Sequence, residues 1–249
     1  MYSGRYFIRE SVYVCGDYID GDIYPVFQPP GRRRKKCRPT SDVQAAINQR
    51  NAERSAARLV HLNFGPGDIA LHLTYRDEPA DAAAGKRDLY NFLSRVKRLR
   101  VKLGLPDLKY LSCTEISRGG SGRMHHHVIM SGGVDRDVLE RAWGKGYANS
   151  KRLQFGEDGV AGLARYVAKG RHFYRRWNRS RNLAKPEAAV RESTHAELSA
   201  AVRSIKGSVA HAHFEGLWPG WQLTTADCVK NAYNRCDYVR YEMRRVRRE

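Results

Sequence analysis

The sequence predicts an α+β fold, and three observations carry that prediction. Short runs of strand-forming residues alternate with longer segments of helical spacing. Two of the runs flank a glycine-rich turn, the arrangement of an antiparallel hairpin. Hydrophobic residues make up 41% of the 249, enough to build a core. The length suits one large domain, or one domain extended at both ends.

Taken in order, residues 6–15 and 22–27 mix Tyr, Val and Ile with Gly and Asp turns and predict two short strands. Pro29-Pro30-Gly31 breaks structure, and the run from Arg32 to Lys36 is either a solvated loop or a phosphate-gripping arm. Thr40-Ser41-Asp42 can cap a helix reaching about Arg58, with Val43, Ala46, Ile47 and Ala57 as a weak apolar stripe. Gly65-Pro66-Gly67-Asp68 is a turn, and residues 69–74 read as a buried strand. Residues 81–103 follow as a long helix, with Leu89, Phe92, Leu93, Val96 and Leu99 on one face. Lys86, Arg87, Arg95, Lys97, Arg98, Arg100 and Lys102 line the other, and Gly104 ends it.

Residues 108–116 and 124–130 predict the hairpin strands, and 135–143 a short helix. Residues 152–155 are a candidate strand, 158–168 a helix, and 187–205 a further helix ahead of a basic tail with Arg244, Arg245, Arg247 and Arg248. The expected organisation is an N-terminal extension over 1–58, a core over 59–180 and a basic, helical C-terminal extension over 181–249.

Charge narrows the function. Lys and Arg number 45 against 26 Asp and Glu, a net of +19. Such an excess points to a polyanionic partner, because cations that neutralise phosphates release condensed counterions. No apolar run reaches the roughly 18 residues of a spanning helix, and Met1-Tyr2-Ser3-Gly4-Arg5 lacks a signal-peptide core. A cytoplasmic nucleic-acid binder, with no membrane partner, is the expectation. The five cysteines are scattered without a Cys-x-x-Cys pair, which indicates reduced thiols.

His125-His126-His127 is the sharpest feature. On a strand His125 and His127 share a face and His126 takes the other, so the outer two can chelate one metal ion. Glu115, across the glycine turn, can join them as a third ligand, or pair with Arg118 or Arg123. Two imidazoles and a carboxylate suit Mn²⁺ or Mg²⁺, with Zn²⁺ an alternative in vitro, and can polarise a phosphoryl oxygen. Farther on, Tyr166 and Lys169 lie three apart on one helix side, as a nucleophile and its neighbouring cation or as ordinary amphipathic packing.

Leu71-His72-Leu73-Thr74-Tyr75, Gly122-Arg123-x-His125-x-His127 and Tyr166-x-x-Lys169 occur in that order. The set resembles the three-motif pattern of HUH endonucleases, and most of all the rolling-circle replication initiators of small phages and plasmids, filamentous-phage gene II type included. The resemblance covers about residues 60 to 175. It implies a central antiparallel sheet of about five strands flanked by helices, the HUH/RRM-like arrangement. It also implies that His125, His127 and Glu115 hold a divalent metal, and that Tyr166 attacks DNA to leave a 5′-phosphotyrosine and a free 3′-OH.

Two departures stand out. Gly170 occupies the place where some relatives carry a second tyrosine, and Tyr174, about 80° further round an ideal helix, is a weak substitute. His126 fills a position that is usually hydrophobic or aromatic.

Arg123, Arg171, Arg175, Trp177, Arg95 and Arg98 are candidate DNA contacts, aromatics among arginines being suited to single strands. No Gly-x-x-x-x-Gly-Lys-Ser/Thr occurs, so no nucleotide cofactor is expected, and host helicase and polymerase would act on the origin DNA. The rivals are an HUH relaxase or transposase, and a non-catalytic DNA-binding regulator. His211-x-His213 reads as incidental.

Overall fold

The computed structural model describes residues 6–27, 42–116, 122–155, 177–231 and 234–246. In chain order the first elements are β1 (Tyr6–Cys15), β2 (Tyr18–Phe27), α1 (Asp42–Asn63), β3 (Ile69–Thr74), α2 (Ala82–Lys102), β4 (Tyr110–Ile116) and β5 (Met124–Met130). Then come α3 (Arg136–Trp143), β6 (Ala148–Arg152), β7 (Asn178–Arg179), β8 (Ala188–Ser193), α4 (His195–Lys206), α5 (Ala210–Leu217), β9 (Trp221–Lys230) and β10 (Asp237–Arg245). The fold is α+β, as predicted, but it carries two five-stranded antiparallel sheets. Two compact units result, one from residues 1–42 with 186–249 and one from residues 43–185. Among the described residues no helix is long and apolar enough to cross a membrane.

The first unit draws its sheet from both ends of the chain, in the order β8-β1-β2-β10-β9. Its strands alternate, so that Ile8, Val12, Ile19, Ile23, Val239, Tyr241 and Met243 share a core with Leu198, Ala201, Val202 and Phe214 of α4 and α5. Gly21 faces Tyr241 in the sheet register, and a Cβ there would collide with the phenol ring. Glu10 is buried on this face, where it accepts from Tyr241 Oη at 2.8 Å and pairs with Arg191 on β8.

The second unit has the sheet order β6-β3-β5-β4-β7. One face packs under α2 and α3, where Leu71, Leu73, Val128 and Met130 meet Leu89, Phe92, Val96, Leu139 and Trp143. On the other face Ala56, Ala57 and Val60 of α1, with Phe64 just beyond it, pack on Leu111, Cys113 and Ile129. That helix runs past the predicted end at Arg58 to Asn63, and Val60 in the added turn is buried in this core.

Several expectations are corrected. The strand expected over 152–155 is β6, which ends at Arg152. The helix expected over 187–205 begins only at His195, because Ala188–Ser193 pairs with β1. A capping box marks the true start: Thr194 Oγ1 accepts from Glu197 N at 3.1 Å and Glu197 Oε2 from Thr194 N at 2.7 Å. Arg244 and Arg245, read as a basic tail, end strand β10. Arg100 leaves the solvent face of α2; it is buried and donates to the carbonyls of Pro106, Ser131 and Gly132.

Candidate metal centre

Strand β5 is central in its sheet, with β3 on one side and β4 on the other. Its register sets His127 opposite His72 of β3 and Cys113 of β4, and His125 opposite Thr74 and Glu115. Directly opposed residues in an antiparallel pair share a face, so His72, Glu115, His125 and His127 all project to the side on which α1 packs. One ligand-capable ring atom from each of His72, His125 and His127 lies within 4.8 Å of the others. Glu115 Oε2 stands 3.4 Å from His125 Nε2 and 3.9 Å from His127 Nε2. The His72 and His127 rings stack with centroids 4.7 Å apart, and His125 stands edge-on to both.

The wall is graded from dry to wet along β5. Ile129 is buried in the core, His127 is buried, and His125 is half-buried. Burial first, and then the neighbouring His72, His125 and His126, push the His127 pKa down to about 3. Burial and His125 lower that of His72 as well. Both rings are therefore neutral at neutral pH, the state in which an imidazole nitrogen offers its lone pair to a metal. Cys113 lies in the same register, but burial, with Glu115 adding to it, raises its pKa, so it stays a neutral thiol.

His126 points into the opposite core, as alternation requires. Its Nε2 lies 2.8 Å from Tyr75 Oη and its Nδ1 2.8 Å from Thr114 Oγ1, and it has no exposed surface. The donor set on the other face fits a divalent ion. Bonds of about 2.1 Å hold two ligands of one ion roughly 3–4 Å apart, so the Glu115 contacts already suit it, and the three imidazoles gather within 4.8 Å.

Sequence reasoning missed His72, a lone histidine between Leu71 and Leu73. Its signal was parity with Thr74 on a strand that pairs with the triple-histidine strand. Of the candidate DNA contacts, Arg98 and Arg123 are exposed. Arg95 donates to the carbonyls of Ala142 and Trp143 at the end of α3, and Trp177 packs half-buried against the α1 core. Tyr166, Lys169, Arg171, Tyr174 and Arg175 lie outside the described residues. His211, on α5, lies 3.1 Å from Glu215 one turn on.

Residues 68–171 match the family described as Replication-associated protein ORF2/gene II protein. This chain resembles the ORF2/gene II replication proteins. The match starts at the head of β3, includes all four converging residues and runs past Tyr166 and Lys169. It leaves out β1, β2 and everything from Trp177 onward. No curated protein and no solved structure matches the chain significantly.

Proposed function

We propose that this protein is a metal-dependent, sequence-specific nickase and ligase of single-stranded DNA that initiates rolling-circle replication through Tyr166. The observation that carries this reading is the convergence of imidazoles and a carboxylate on the face of β3, β4 and β5, inside the stretch that matches the ORF2/gene II proteins. The net charge of +19 supports a nucleic-acid partner. The substrate is single-stranded or hairpin origin DNA in the cytoplasm of a prokaryotic host, whose helicase and polymerase would extend the nicked strand.

His125, His127 and Glu115 would hold the ion, with Mn²⁺ or Mg²⁺ as the expected occupants. Bound there, a divalent ion supplies electrophilic polarisation of a phosphoryl oxygen. Tyr166 loses its phenolic proton and attacks the scissile phosphorus, the bond to the 3′ oxygen breaks, and that oxygen leaves as a 3′-OH. The 5′ phosphate stays esterified to Tyr166, which stores the linkage energy. A later 3′-OH reverses the exchange, restores the phenol and closes a circle. Lys169 stabilises the phenolate and the adjacent phosphate by charge.

The test is a denaturing gel of the full chain with origin oligonucleotides and Mn²⁺. A covalent protein–DNA band is expected that vanishes with EDTA and in Tyr166→Phe. A band that survives Tyr166→Phe but is lost in Tyr174→Phe moves the nucleophile. Tight binding of cognate DNA without any adduct would leave a DNA-binding regulator instead.

A further inference from the structure

We infer that His72 is a direct ligand of the metal centre, making it a site of three imidazoles and one carboxylate that prefers first-row transition ions such as Mn²⁺, Co²⁺ or Zn²⁺ over Mg²⁺. This deepens the nickase reading and rests on it for the placing of the metal at His125 and His127. The site has a simple order in the sheet. Strand β5 contributes two ligands, and each flanking strand contributes one, opposite one of them: Glu115 opposite His125 and His72 opposite His127. Among the described residues His72, His125 and His127 are the group whose ligand atoms gather within 4.8 Å. Glu115 reaches the same two β5 histidines from the other side, at 3.4 and 3.9 Å.

Packing alone would seat an apolar or β-branched residue at this half-exposed strand position as well as it seats a histidine. What His72 adds is a third nitrogen donor within 4.8 Å of the two already there. The change of donor set has a chemical consequence. Mg²⁺ favours oxygen ligands and keeps its waters, whereas imidazole favours later divalent transition ions. A third imidazole therefore moves selectivity away from Mg²⁺. Four protein ligands also fill a tetrahedral ion while leaving two positions open on a six-coordinate one. Zn²⁺ is thus expected to bind tightly, and Mn²⁺ or Co²⁺ to keep room for a phosphate oxygen.

The test uses the full chain and Mn²⁺ alone, without DNA. Pulsed electron paramagnetic resonance counts the imidazole nitrogens on the bound ion, and titration gives its affinity. The expected result is three imidazoles in the wild-type protein and two in His72→Thr, which keeps a strand-forming residue. Affinity for Mn²⁺ should fall by at least about tenfold, the scale of losing a supporting group around a metal. About a hundredfold excess of Mg²⁺ should leave Mn²⁺ in place in the wild type and displace it from the variant. A wild-type count of two, or an unchanged affinity in both His72→Thr and His72→Ala, overturns the inference while leaving the nickase reading standing. Failure of the wild type to bind Mn²⁺ overturns the inference and the metal dependence together. Loss of the covalent adduct on cognate DNA with three imidazoles intact would overturn the nickase reading alone.

Discussion

At His126 both ring nitrogens are engaged, with Tyr75 Oη on one side and Thr114 Oγ1 on the other, each at 2.8 Å, the first buried and the second partly buried. Replacing this ring with an apolar side chain of similar size leaves two hydroxyls short of a partner. Each such loss costs roughly 1–3 kcal/mol, so His126→Leu is expected to lower unfolding stability by about 2–4 kcal/mol in urea titrations. Tyr75→Phe should cost less in the His126→Leu background than in the wild type, since the phenol has already lost that contact. Mn²⁺ affinity should hold, because the ligands occupy the opposite face; additive losses, or a lost metal site, would contradict this account. The split between His126 and its neighbours was legible in the sequence, since strand alternation is local. The role of His72 was not, because it depends on which strand β3 pairs with, some fifty residues away. Arg95 and Arg100 were illegible for a related reason: their charge is visible in sequence, but the backbone carbonyls that engage them are not.

Helix α4 owes its starting point to three side chains. Ser193 Oγ and Thr194 N both donate to Glu197 Oε2, at 2.7 Å each, and these contacts lower the Glu197 pKa to about 2. The folded pKa lies below the ordinary 4.5 of the carboxyl, so the contribution is present above about pH 4.5. It is lost as pH falls towards 2. Thr194→Ala should cost about 1 kcal/mol of stability. In Glu197→Gln the acid limb of a melting-temperature profile should be shallower than in the wild type; an identical limb would show that the cap carries no titrating contribution. The sequence placed β3 and β5 to the residue because their apolar runs end at sharp turn signals. It missed β8, whose Ala, Arg and Glu favour helix until an edge of β1 pairs with them. In β10 the signal was present and unread: Val239, Tyr241 and Met243 are buried while Arg240, Glu242 and Arg244 alternate with them.

For the molecule as a whole, the first sheet joins strands at opposite ends of the chain, with β10 lying between β2 and β9. A chain ending at Lys230 would lose that bridge. It would strip Val239, Tyr241 and Met243 from the core and leave the buried Glu10 without its phenol donor. Burying three large apolar side chains is worth roughly 1.5–3 kcal/mol each, comparable with the whole margin of a small unit. The expected outcome is loss of hydrogen-exchange protection throughout β1 and β2. The second sheet draws no strand from the deleted stretch, so amides of β3 and β5 should keep their protection. Mn²⁺ binding should persist for the same reason, because every proposed ligand lies between residues 72 and 127. Uniform loss of protection across both sheets, with loss of the metal, would show instead that the two units unfold as one cooperative body.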